Sequence, residues 1–391
     1  MLTILTIALL PLLLLGQLLR FPLAIGGTIY PHDVVIVAIL TLALGQHAVR
    51  SELIRWLRSH RLLLGTIAWF FVAPLAQIVL LNHSPALVLY VLRFLCYATF
   101  LWWFAFSKNR IHRFDNLFQL SGLAFAIIAL GMYLFIPDMR VFKAIGWDDH
   151  YFRAVGPLLD PNFAAAVLVI GITSSIAWLS ARKPSPKWLP YAVLLPMAVA
   201  LGLTFSRSGW MALLVAIHWL VICVIVQRLR NQSNAAYRKI VGPILFSLVI
   251  LTLTLLLAPK PGGEGIELSR TTSITARESH DRATLNLSPP NLMFGFGLTQ
   301  PPDGVVSYHA QVPNNLWLQL LAFGGIPGLA LSCLVCLQAI TRSKKITAIS
   351  TVPFVALFVL AQFNAVLIEP FVFLLSGMQI GLVFSRKQKK A

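Results

Sequence analysis

The chain has 391 residues, of which 58% are apolar and only 11% charged, against roughly 25% charged in a soluble globular protein; a soluble domain has no way to hide that much hydrocarbon surface. Lys and Arg number 31 against 13 Asp and Glu, a formal charge of +18. Together with the apolar content, that surplus reads as basic membrane-flanking loops and not as a nucleic-acid surface, and a soluble enzyme, a disordered tail and a disulfide scaffold are excluded as well.

A bilayer-spanning helix needs about 20 mostly apolar residues. In chain order the sequence predicts twelve such runs, at 2–19, 29–47, 62–81, 86–106, 114–136, 163–181, 188–205, 209–227, 240–258, 314–340, 346–366 and 370–385. The first lacks a basic start and an A-x-A site and reads as a retained helix, not a removed signal peptide. The tenth holds Gly324-Gly325-Ile326-Pro327-Gly328, which predicts a broken or re-entrant piece. The fold class is thus an all-α polytopic membrane protein of about twelve transmembrane helices, a single domain over 1–391. Cys96, Cys223, Cys333 and Cys336 all lie in apolar runs, where they read as small apolar residues and not as a disulfide or metal framework.

With the N-terminus placed in the cytoplasm, the connections on that side are 48–61, 107–113, 182–187, 228–239, 341–345 and 386–391. They hold 21 of the 31 basic residues. This bias at every inner connection predicts both termini inside. Two long loops then face outward, 137–162 and, between the ninth and tenth spans, 259–313; loops of that length on a compact body are usually functional. Within the second, Ser269 to Leu287 predicts a short amphipathic helix on the bilayer surface, so that loop is partly helical.

The external side carries arginines beside polar motifs. The first is Arg153-Ala-Val-Gly156, followed by Asp160-Pro161-Asn162, entering the sixth span. The second is Ser206-Arg207-Ser208-Gly209, in the tight turn between the seventh and eighth. The third is Arg277 and Arg282 in the large loop. The fourth is Gly295-Phe-Gly297, then His309, then Asn314-Asn315 at the start of the tenth span. Arg207 lies between two apolar helices with almost no loop, near membrane depth, where an arginine costs ~2.5–3.5 kcal/mol; such a residue pairs, faces a wet cavity or snorkels. Arg93, inside the fourth span, poses the same question. Guanidinium groups converging from one side suit a diphosphate, which they bind bidentately, and a diphosphate beside a membrane implies a lipid-linked donor.

Over about 150–330 these motifs, in this order, resemble the O-antigen ligase and O-antigen polymerase family of bacterial membrane glycosyltransferases. The family's arginine, glycine and Asp-Pro-Asn match Arg153, Gly156 and Asp160-Pro161-Asn162. Its Ser-Arg with small residues matches Ser206-Arg207-Ser208-Gly209, and its loop arginine with a following Gly-x-Gly matches Arg277 and Gly295-Phe-Gly297. The position of its His-Asn histidine is held here by Asn314, which moves the candidate base to His309. His150 and His280 are alternatives; His218 reads as a packed polar residue in mid-span.

The resemblance implies transfer or polymerisation of a saccharide from undecaprenyl diphosphate at the periplasmic face of the bacterial inner membrane, with both termini in the cytoplasm. The acceptor would be lipid A–core for a ligase or a second lipid-linked glycan for a polymerase. Arg207, Arg277 and His309 are then the catalytic candidates. Arg153, Arg207, Arg277 and Arg282 would bind the donor diphosphate, supported by Asp160, Asn162, Asn314 and Asn315. No cofactor and no metal is expected: diphosphate is already a good leaving group, and Asp148-Asp149 read as solvated loop carboxylates. The lipid bilayer is a partner and nucleic acid is not. The alternative is a transporter of lipid-linked sugar or an anionic solute; against the commonest two-halves kind, the connection between spans six and seven is short.

Overall fold

The computed structural model describes residues 2–23, 28–81, 86–106, 117–145, 150–181, 186–229, 235–259, 272–285, 288–297, 313–342, 351–367 and 369–385. In chain order the α-helices are α1 Leu2–Leu15, α2 Pro31–Leu44, α3 His47–Ser59, α4 Arg61–Leu81, α5 Ala86–Phe106, α6 Leu117–Phe135, α7 Pro161–Ala181, α8 Leu189–Leu203, α9 Arg207–Leu229, α10 Ala235–Leu257, α11 Thr272–Leu285, α12 Pro289–Phe294, α13 Leu316–Arg342, α14 Val352–Ala361 and α15 Pro370–Ser385. Two strands of two residues, β1 Phe21–Pro22 and β2 Thr28–Ile29, pair antiparallel. Helix occurs at each of the twelve predicted apolar runs. Among the described residues six helices are long and apolar enough to cross a membrane: α4, α5, α7, α9, α10 and α13. The bent pair α2 and α3 makes a seventh if counted as one span. The chain is a multi-pass membrane protein.

Two compact units emerge. The first holds 1–13, 19–107 and 272–344. In it α4 packs against α5, α12 and α13, and α2 against α5. Asp33 at the third position of α2 accepts the Tyr30 N–H at 3.0 Å, satisfying one of the donors that a helix start leaves open. The connection 48–61 holds most of α3, turned 98° from α2.

α13 is broken where the glycines predicted it. Gly325 has φ +60° and ψ −166° inside the helix, a conformation that L-residues avoid. The break frees carbonyl oxygens at membrane depth, where none is left unpaired cheaply. They are taken up by other parts of the same unit. The N–H groups of Phe296 and Gly297 donate to the Ala322 carbonyl at 2.9 and 2.8 Å. The fully buried Gln77 of α4 donates to Phe294, Ala322 and Phe323 at 2.5, 3.3 and 3.4 Å. Trp69 Nε1 donates to Gly324 at 2.6 Å. A side chain at Gly295 would drive into the Ala322 carbonyl, and one at Gly325 into that of Met293. The Gly-x-Gly motif and the Gly-Gly break are therefore two halves of one docking contact between α12 and α13.

The second unit holds 14–18, 108–271 and 345–391. Its centre is α7, whose spanning stretch is 83% buried; a helix apolar all round is the kind that is enclosed. It is wrapped by α6, α8, α9, α10, α14 and α15. α6 crosses it at a pair of glycines: a Cβ on Gly122 would lie 2.9 Å from Gly171 Cα. Small residues at a crossing let the backbones approach closely, the usual device where lipid removes the hydrophobic drive. Thr173, Ser174 and Ser175 of α7 bury their hydroxyls by bonding carbonyls one turn back.

Candidate functional site

The site is clearest around the start of α9. Within the expected external loop 137–162, residues 153–160 are buried throughout. The Ala154 N–H donates to the Leu203 carbonyl at 2.8 Å. Arg153 is buried, and its Nε donates to the Thr204 carbonyl at 2.9 Å. A cation on the carbonyl end of a helix is favoured by the helix dipole, so Arg153 fastens this loop to the end of α8. Asp160 caps α7, its Oδ1 accepting the N–H groups of Asn162 at 2.6 Å and Phe163 at 2.9 Å.

Asn162, the second residue of α7, reaches the α8–α9 turn: Ser206 Oγ donates to its Oδ1 at 2.9 Å. Ser206 and Ser208 hydroxyls lie 3.2 Å apart. Asn364, just past α14, donates from Nδ2 to Ser208 Oγ at 2.7 Å and is buried. Arg207, the first residue of α9, is half-buried between these two bracketed serines. The structure thus brings together Arg153, Asp160, Asn162 and Arg207 from the expected set, and adds Asn364. Its signal was a lone amide at the end of a predicted span; an uncharged polar residue there gives no hint of which turn it serves.

Backbone strain marks the same place. Among the described residues three non-glycine side chains sit at positive φ: Phe152 (+50°), Leu159 (+56°) and Phe205 (+49°). Each is one or two residues from Arg153, Asp160 or Arg207. Bulky residues in this region are outliers that persist only where the surroundings dictate them, and they gather at functional turns. Arg207 also adds a positive charge to the positive end of the α9 dipole, an arrangement that favours an anion beside it.

Arg277, Arg282, Asn314 and Asn315 lie in the first unit. Arg277 is half-buried on α11. Arg282 is exposed and pairs with Glu278 one turn back at 2.6 Å, a surface pair of small energetic weight. α11 falls inside the stretch predicted as amphipathic, and its Ile274 and Leu285 are exposed. Asn315 caps α13, its Oδ1 accepting the Trp317 N–H at 2.9 Å, and Asn314 beside it is half-buried. His309, Asp148 and Asp149 lie outside the described residues. His150 is buried beside the Asp138–Tyr151 bridge, and His218 bonds its own helix at the Leu214 carbonyl, 2.7 Å.

Arg93 has a definite partner. Its Nη2 and Nε lie 3.0 and 3.2 Å from the Asp33 carboxylate. Its Nη2 also donates to the Thr28 carbonyl, and its guanidinium stacks over Tyr30 and Tyr90 at 5.1 and 5.6 Å. Tyr97 donates to the same carboxylate at 2.5 Å. Arg93 is a structural pin between α2, β2 and α5.

Residues 192–333 match the model of the O-antigen ligase family. The match includes Arg207, Arg277, both glycine motifs and Asn314-Asn315, and starts after Arg153, Asp160 and Asn162. No curated protein matched the sequence.

Proposed function

We propose that this multi-pass membrane protein, which carries an O-antigen ligase region at 192–333, is a glycosyltransferase using a saccharide on undecaprenyl diphosphate. It acts at the periplasmic face of the inner membrane, with twelve spans and both termini in the cytoplasm. The observation that carries this reading is the Arg207 turn: an arginine on the first residue of a helix, inside the family match, its flanking serines held by a buried polar network, with strained backbone at Phe152, Leu159 and Phe205 beside it.

In the reaction an acceptor hydroxyl attacks the anomeric carbon. Its O–H proton passes to a base, a new C–O bond forms, and the bond to the diphosphate oxygen breaks. Negative charge grows on that oxygen, and fixed guanidinium groups that meet it there stabilise the transition state more than the ground state. Arg207 and Arg277 take that role. Arg153, already committed to the Thr204 carbonyl, positions the turn. Arg282 assists in binding the donor diphosphate. His309 is the base, displaced from the Asn314 position. The acceptor is lipid A–core or a second lipid-linked glycan.

The test is turnover of purified protein with undecaprenyl-diphosphate glycan, with and without lipid A–core, resolved on a gel. A conjugated band family identifies a ligase, and a ladder without core a polymerase. Flux of the lipid-linked sugar with no new glycosidic bond would assign a transporter and overturn the reading. So would unchanged products from Arg207→Ala and Arg277→Ala.

A further inference from the structure

We propose that α3 is a recognition element for anionic phospholipid headgroups, lying in the plane of the bilayer interface. α2 and α4 are apolar, and α3 joins the end of one to the start of the other. It is turned 98° from α2, so if α2 runs across the bilayer, α3 runs along its surface. Thirteen residues give it a length of roughly 20 Å.

Its two faces differ in chemistry. Leu53, Trp56 and Leu57 are half-buried; the helix packs on α2 and α4, and the Trp56 ring lies 6.2 Å from that of Trp102 on α5. The opposite face is exposed and carries Arg50, Ile54 and Arg58 in one helical row, with Arg55 beside them. Arg61, the first residue of α4, extends the row and is exposed too. The acid on this helix is Glu52, 3.3 Å from Arg55, whose side chain is still 76% exposed. Arg50, Arg58 and Arg61 thus face outward without a carboxylate of their own helix.

A second penetration of the hydrocarbon by α3 is ruled out by cost: three arginines in one short helix would each be paid for at membrane depth. At the interface the same residues are favourable. Long arginine stems lie along the apolar boundary with their heads on phosphates, and Ile54, 50% exposed at the centre of the row, enters the acyl region between them. Guanidinium groups are suited to bidentate phosphate contact. This inference stands apart from the glycosyl-transfer reading, since it concerns neither donor nor acceptor.

The experiment uses full-length protein in mixed micelles of phosphatidylcholine and phosphatidylglycerol, with bound lipid read by native mass spectrometry. Wild type is expected to retain phosphatidylglycerol over phosphatidylcholine by tenfold or more, each exposed arginine contributing roughly fivefold near an anionic surface. High salt should reduce the preference. The variant Arg50→Gln/Arg55→Gln/Arg58→Gln should lose it, and the Arg→Lys triple should keep most of it. An equal preference in wild type and the Gln triple overturns the proposal, as does a wild type with no preference, which needs no variant to fold. A nitroxide at Ile54→Cys in vesicles of the same two lipids should be reached by oxygen more readily than by a water-soluble nickel chelate. The reverse order would place this face in water and overturn the in-plane assignment.

Discussion

Asp33 and Arg93 offer the sharpest energetic test. The guanidinium has two nitrogens on the carboxylate, a third contact to the Thr28 carbonyl and two tyrosine faces; the carboxylate also receives Tyr97 and the Tyr30 N–H. Side-chain exposure is 11% for Arg93 and 17% for Asp33. Removing one partner of such a pair strands a charge in a low-dielectric site, at a cost of about 3–5 kcal/mol. Asp33→Leu should sit at the upper end, because the Arg93 charge keeps only one carbonyl and the ring faces. Arg93→Met should cost less, because the carboxylate retains the Tyr97 hydroxyl and the Tyr30 N–H. The double variant, with no charge left to strand, should lose less than the two single losses added together, by a coupling of about 2–4 kcal/mol. Unfolding midpoints of the four proteins in one detergent, at one scan rate, measure this. A double variant as unstable as the two single losses added together would refute the pairing. Below its own midpoint, Arg93→Met should transfer glycan like wild type. A folded but inactive Arg93→Met would show that Arg93 meets substrate.

Three further outcomes follow from the same geometry. Gly325→Val should destabilise by at least about 2 kcal/mol, from left-handed backbone on a branched residue plus a clash with the Met293 carbonyl; a wild-type melting midpoint would refute the docking of α12 on the break. Asn364→Asp keeps the shape but removes the donor to Ser208. A loss of about 1–3 kcal/mol held in the Arg207 turn should lower kcat by roughly tenfold or more, with Asn364→Gln restoring part; unchanged kcat and KM would leave Asn364 a purely local contact. Outside the apolar helices, the Arg140 guanidinium forks onto Asp138 at 2.8 and 2.6 Å and holds its carboxyl below the ordinary carboxylate range. A depressed folded value means that this contact stabilises above the unfolded carboxyl's pKa and is lost as pH falls through the folded one. Carboxyl titration by NMR should move upward in Arg140→Ala, and no movement would refute the pairing.

The helix positions were legible because a bilayer demands long apolar runs, and the break in α13 was legible because Gly-Gly-Ile-Pro-Gly lacks both side chains and a donor. Arginines beside motifs were legible as unusual residue types at span ends. The partners were not. Ser208 meets Asn364 across 156 positions and Ala322 meets Gln77 across 245, and neither amide carries a charge or a spacing that names its mate. The arginines of the connection 48–61 mark a side of the membrane and give no helical signal, whereas Leu53, Trp56 and Leu57 recur at helical spacing and give it a face to pack. A rule of depth reaches further than motif reading. Within hydrocarbon every polar group needs a partner at its own level. Asp33 lies in the first turn of α2 and Arg93 two turns into α5, both near span ends assigned to the same side by the charge count, so opposite charges at similar depth predict their own pairing. Arg207 differs in kind: its flanking serines are bonded by Asn162 and Asn364, which holds the guanidinium's base in place at a helix start that itself favours an anion. Polar side chains that pair at one depth hold the fold together; an arginine fixed at the backbone beside a positive helix end is where a negatively charged leaving group gains most.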